Sequence, residues 1–100
     1  MQITVSVRRG SVASITTEKI QTKVEKLVRF YDRISSAEVT IDLEVRENPA
    51  LTLLLKVEPK KELVVQSQAG ELFASLDEAL KKMEQQLKKF KEKMTDTRTE

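Results

Sequence analysis

The chain is 100 residues long, 39% apolar and 34% charged, with a formal net charge of +2. It has room for one domain with a modest core and is too apolar for a disordered segment. It contains no cysteine and no histidine, which excludes disulfides, thiol nucleophiles and the usual zinc ligands, and removes the side chain best suited to proton transfer near neutral pH.

Residues 2–8 alternate, with Ile3, Val5 and Val7 against Gln2, Thr4, Ser6 and Arg8; this predicts a strand with one buried face. Gly10 breaks it. Ser14 is placed to cap a helix over about 15–32, in which Ile20, Val24, Leu27, Val28 and Tyr31 fall at helical spacing. Ala37, Val39, Ile41, Leu43 and Val45 alternate with Glu38, Thr40, Asp42, Glu44 and Arg46 and predict a second strand over 37–46. After a turn at Glu47-Asn48-Pro49, a third strand buries Leu51, Leu53, Leu55 and Val57. A second turn at Pro59-Lys60-Lys61 leads to a fourth strand over 63–68. Such short turns imply an antiparallel meander.

The last helix is predicted from Glu71 or Leu72 to about Met94. Its apolar residues Leu76, Leu80, Met83, Leu87, Phe90 and Met94 step by 4, 3, 4, 3, 4. A helix this long outruns the strands it covers, so Phe90 and Met94 are expected to overhang the sheet and to be available to a partner. Residues 95–100 read as a flexible tail, and 1–94 as a single domain. The order β-α-β-β-β-α, with one apolar face per element, predicts an α+β fold with both helices on one side of a four-stranded sheet. The other sheet face, bearing Thr4, Ser6, Thr40, Asp42, Glu44, Thr52, Lys56 and Gln66, is expected to be polar and open.

Charge is unevenly spread. Residues 1–37 hold seven Lys/Arg against three Asp/Glu, residues 38–70 four against six, and residues 81–93 alone six against two. On a helical wheel Lys82, Lys89 and Lys93 share one flank of the last helix, near Gln85 and Gln86. Lys81 and Lys88 lie nearer Asp77, Glu84 and Glu92. In the first helix Lys19, Lys23, Lys26 and Arg33 line one side, with Phe30 among them. Lysine-rich helix surfaces are often only solvated, and pairs such as Asp77/Lys81, Glu78/Lys82 and Glu84/Lys88 are worth only about 0.2–0.5 kcal/mol each. Basic stripes on both helices, one with an aromatic inside it, tilt the reading toward a phosphate backbone, RNA above all. If the helices lie side by side, the two stripes could border a common groove or ridge. No catalytic constellation is present: there is no P-loop, no GxGxxG and no GxSxG. The acidic neighbours Glu44/Glu47 and Asp77/Glu78 read as exposed turn, strand and first-turn residues. No apolar run approaches the roughly 18 residues of a membrane span, and no signal-peptide pattern opens the chain; a soluble cytoplasmic protein without a cofactor is expected.

The segment VEKLVRFYDRI (24–34) and the segment QAGELFASLDEALKKMEQQLKKFKEK (68–93), in this element order, resemble the ribosome hibernation-promoting factors and ribosome-associated translation inhibitors, the sigma-54 modulation protein-like family. The resemblance covers nearly the whole chain and matches the short form. It implies a dsRBD-like fold and a partner in the small ribosomal subunit, where 16S rRNA and nearby ribosomal proteins line the channel used by mRNA and by A- and P-site tRNA. It implies inhibition of translation and preservation of idle ribosomes under stress and in stationary phase. Off the ribosome a monomer is expected, with a dimer possible; the alternative reading is a protein-interaction module that dimerises through the helix overhang or the open sheet face, without ribosome binding. By position, Lys82, Lys89, Lys91 and Lys93 match basic rRNA-binding sites of the long helix, and Lys23, Lys26 and Arg33 those of the first. The wheel agrees for all but Lys91, which falls on the other flank. Gln85 stands where an arginine is usual and lacks its bidentate phosphate contact. Arg8 and Arg9 replace small polar residues after the first strand and shift that part of the contact.

Overall fold

The structure, a computed structural model, describes the backbone of residues 1–99 and the side chains of residues 1–93. Met94 as a partner contact and the flexible tail over 95–100 therefore lie outside the residues described in full. The element order is that expected: β1 (Gln2–Arg8), α1 (Ser14–Glu25), a single 3₁₀ turn (Lys26–Arg29), β2 (Ile34–Asp42), β3 (Ala50–Val57), β4 (Lys61–Ser67) and α2 (Leu72–Thr99). The four strands form one sheet in chain order. β1 pairs with β2 in parallel, and β2-β3-β4 is an antiparallel meander. The α1 crossover is what allows the parallel pair, because a short turn cannot reverse the chain twice. α1 lies over β1, and α2 lies over β3 and β4.

The core lies between the two layers. Val39, Ile41, Leu53 and Leu55 from the sheet meet Ile20 and Val24 of α1 and Leu76, Ala79, Met83 and Leu87 of α2, all fully buried or nearly so. On the opposite sheet face, pairing aligns Thr4, Glu38, Leu54 and Val64 in one row and Ser6, Thr40, Thr52 and Gln66 in the next. That face is open, as its polar residues suggest, but it also carries Val64, 46% exposed.

Several boundaries depart from the sequence expectation. Ser14 is not the cap of α1 but its first residue. The cap is Ala13, which makes no side-chain cap bond; its carbonyl instead accepts from the amides of Thr16 and Thr17 at 3.0 and 3.2 Å. The α-helix ends at Glu25 rather than near 32. The chain tightens into the 3₁₀ turn, and this rotates Val28 off the core face to 43% exposure while Leu27 stays buried. β2 starts earlier, at Ile34, and stops at Asp42. There the Asp42 carboxylate accepts from the Glu44 amide at 3.0 Å, an Asx turn that ends the ladder. Glu44 is therefore in the connection and not on the sheet face, and Val45 is 48% exposed instead of buried. Leu43 still faces inward and presses on Gly10, where a Cβ would lie 2.8 Å from its Cδ1. β4 spans Lys61–Ser67, two residues earlier at its start than expected. Phe90 is not a free overhang. It is half-buried, and its ring packs edge-on against Tyr31 with centroids 5.4 Å apart. The Tyr31 hydroxyl in turn donates to the carbonyl of Glu58.

Polar ties fix α2 on the sheet. The chain passes from β4 into α2 through Gly70 at φ 98°, a conformation that favours glycine. The Gly70 amide donates to Asn48 Oδ1 at 3.0 Å, and the Ala69 amide to the buried Ser75 Oγ at 2.9 Å. Further along, the buried Ser67 hydroxyl donates to Glu78 Oε1 at 2.9 Å, and Lys82 Nζ lies 3.2 Å from the same oxygen. These two bonds hold the Glu78 carboxyl below its usual range, the serine first, against a smaller opposing effect of burial.

Truncation Leu87→Ala should destabilise the fold by about 2–5 kcal/mol, whereas Val28→Ala should stay within about 0.5 kcal/mol; urea unfolding of the two variants measures both. Glu78 has a depressed folded-state pKa, so its contribution is present above the unfolded-state value and is lost as pH falls through the folded one. Glu78→Gln should thus be less stable than wild type at neutral pH. The gap should close as pH falls through and below the ordinary carboxylate range of about 4, and a gap that stays constant with pH would show that the ionised carboxylate contributes nothing.

Candidate nucleic-acid interface

Burial of the Leu76–Leu87 stripe sets the rotation of α2, and its lysines go to two different sides. On the side facing α1, Lys23 Nζ reaches Asp77 Oδ1 at 2.9 Å and lies 5.9 Å from the centre of the Phe73 ring. Lys88 Nζ lies 5.5 Å from the centre of Phe30 and 3.2 Å from Glu84 Oε1. The seam between the helices is thus a band of alternating charge laid over half-buried aromatics. Each such surface pair is worth little, about 0–1 kcal/mol, but together they fix which flanks meet.

On the other side α2 borders the outer edge of β4. Lys82 Nζ donates to the carbonyl of Gln66 at 2.9 Å, and Gln86 Nε2 to that of Val64 at 3.5 Å. Next to them Lys89 and Lys93, with Lys61 from the start of β4, border an open concavity of about 500 Å³. Lys61 and Lys89 make no ion pair among the described residues.

The stripes therefore do not border one common groove. The Lys23 stripe of α1 faces the acid-bearing flank of α2, and the width of α2 separates it from Lys82, Lys89 and Lys93. Lys26 and Arg33 are exposed beyond the seam, and Gln85 and Lys91 are exposed on α2. Arg8 and Arg9 are not brought to the helical side. Arg8 pairs in register with Asp42 at the end of the sheet. Arg9, in a left-handed conformation at φ 60°, places its guanidinium 2.7 Å from Glu44 Oε1 and 3.9 Å from Asp42 Oδ1. Two residues escaped the sequence reading. By sequence Lys61 belongs only to a turn, and Phe73 only to a helix start. The pair Lys60-Lys61 was the available signal, but nothing local indicates that α2 passes over it.

Among the described residues no group of three or more His, Cys, Asp or Glu could hold a metal ion, and no helix is long and apolar enough to cross a membrane. What the surface offers is exposed ammonium groups on helix flanks beside aromatic rings, which suits a polyanion with stackable bases.

The ribosome hibernation promoting factor of Azotobacter vinelandii is 27% identical over 97 residues, covering 96% of this chain and 88% of that protein. The crystal structure of the Thermus thermophilus Protein Y N-terminal domain superposes with a TM-score of 0.78 at 22% identity, over 90% of this chain and 99% of that one. A ribosomal subunit interface protein from Coxiella burnetii superposes with a TM-score of 0.81 at 19% identity, over 91% and 98%. The two structures share the fold, with its mixed four-stranded sheet and paired helices. Residues 3–95 match the family described as Sigma 54 modulation protein / S30EA ribosomal protein, and the chain belongs to that family.

Proposed function

We propose that the protein is a cytoplasmic, ribosome-associated hibernation factor that binds the small subunit in its decoding channel and keeps mRNA and A- and P-site tRNA out. The family match over residues 3–95 carries this reading. The hibernation-promoting relative supports it, and so does the concentration of exposed lysines on the helical layer. The action is occlusion and not chemistry: a small rigid body fills an RNA-lined passage, and its cations displace counterions from 16S rRNA. It inhibits translation as part of a stress or stationary-phase response and acts as a monomer off the ribosome.

Within the helical layer the contacts are divided by their present partners. Lys23 and Lys82 are tied to Asp77 and to Glu78 and Gln66, so they must exchange these partners for phosphate or hold the surface in shape. Lys26 and Lys89 are exposed and make no ion pair among the described residues. They cost less to recruit, and they come from the two different helices. Lys93 extends the Lys89 flank of α2, Lys91 and Arg33 add exposed cations elsewhere on the helical layer, and Gln85 is an exposed neutral position on α2.

Co-sedimentation with purified 30S subunits across a salt series tests the reading. Wild type should bind, lose affinity as salt rises, and be displaced by mRNA with initiator tRNA. The double variant Lys26→Glu, Lys89→Glu should bind more weakly, with a log–log salt slope shallower by about 0.7–0.9 per lost phosphate contact. Wild-type behaviour of that variant would remove the helical lysines from the interface, and no binding of wild type at low salt would remove the ribosome reading altogether.

A further inference from the structure

The concavity between α2 and the β4 edge is separate from the seam between the helices, and its lining is chemically mixed. Leu63, Val64 and Phe90 supply its apolar part, and Lys61, Lys89 and Lys93 ring it. Its volume of about 500 Å³ falls in the range of small-ligand sites, roughly 300–1,000 Å³. We infer that this concavity is a nucleotide site, which seats one base against Phe90 and its phosphate among Lys61, Lys89 and Lys93.

The observations select this occupant over an extended acidic peptide. A peptide would bind the free edge of β4 by adding a strand. The carbonyls it would need, those of Val64 and Gln66, already accept from Gln86 and Lys82. A nucleotide needs no ladder. It needs an aromatic surface and a cluster of cations on one side of it, since base stacking on a side chain tolerates any base and lysine binds phosphate as a point charge. Phe90 makes one T-shaped contact, with Tyr31, and its ring is only half-buried and lines the concavity, which leaves it surface to offer. Among the described residues the lining carries three lysines and one acid, Glu62, which matches one phosphate better than a chain of them. The lysines come from two elements, so the site exists only in the folded chain. The inference rests in part on the nucleic-acid reading above: the nucleotide is either free in solution or one unpaired unit of an RNA strand, and the chemistry is the same.

The ¹⁵N-labelled full chain is titrated with AMP, with single-stranded hexaadenylate and with inorganic phosphate, and the amide shifts of Leu63, Val64, Gln86 and Phe90 are followed. Saturable shifts with AMP identify a free nucleotide, and shifts with hexaadenylate alone identify a strand; either supports the site. Lys61→Glu, an exposed change away from the core, should weaken that binding by about tenfold or more. Phe90→Leu, which keeps an apolar side chain against Tyr31, should abolish the preference for AMP over phosphate. Equal affinity for phosphate and AMP in wild type, or no shifts at these amides, would overturn the inference. Sedimentation of the same protein with 30S subunits separates the two failures. Ribosome binding without groove shifts removes the nucleotide site alone, and groove shifts without ribosome binding remove the ribosome reading alone.

Discussion

The burial of one stripe of α2 against β3 and β4 is the constraint on which the surface depends. Leu76, Ala79, Met83 and Leu87 have no exposure, and a helix with four such anchors over three turns cannot rotate without opening cavities at all of them. Rotation decides direction. Once the stripe is seated, Asp77, Glu84 and Lys88 must face α1, and Lys82, Gln86 and Lys89 must face the β4 edge. The charge pattern of the protein is thus a consequence of its core.

The same constraint gives each flank of α2 a distinct character. Toward α1 the cations meet carboxylates and rings: Lys23 with Asp77 and Phe73, Lys88 with Glu84 and Phe30. Toward β4 Lys82 meets the Gln66 carbonyl and Glu78, and Lys89 borders a concavity. A lysine among carboxylates is already neutralised, whereas one held on a carbonyl or in solvent keeps its full charge for an anion. Net charge per helix therefore misleads. Residues 71–100 balance at seven Lys/Arg and seven Asp/Glu, yet among the described residues Asp77 and Glu84 pair on the α1 side, whereas Lys89 borders the concavity without an ion pair.

Much of this was legible in the residues. Strict alternation marked β1 and β3, and the 4-3-4-3 spacing marked the buried side of α2, because those elements keep regular geometry from end to end. The misreadings cluster where geometry changes within a run. Val28 continues the helical spacing of Val24 and Leu27, but the tightening to 3₁₀ geometry at Lys26 moves it out. Val45 continues the alternation of Ile41 and Leu43, but the Asp42 side chain closes a turn before it. Phe90 looked like an overhang because strand length alone does not reveal that Tyr31 rises to meet it. At the interface, the flank containing Lys82, Lys89 and Lys93 could be drawn on a wheel. What it faces could not, since that depends on which strand lies under α2, and a wheel carries no information about neighbours.

The sheet order has a kinetic meaning of its own. β2, β3 and β4 are joined by short connections, so each pairing closes a small loop and loses little chain entropy. β1 joins them only in parallel, across the whole of residues 9–33, and occupies an outer position with one neighbour. It is therefore the strand of longest contact range and the last for which docking becomes favourable as the chain condenses. By the same token it is the first to leave. In hydrogen exchange the amides of β1 would belong to a shallower opening unit than those of the meander, and the protein would pass through a state in which three strands and α2 persist while the N-terminal strand is free.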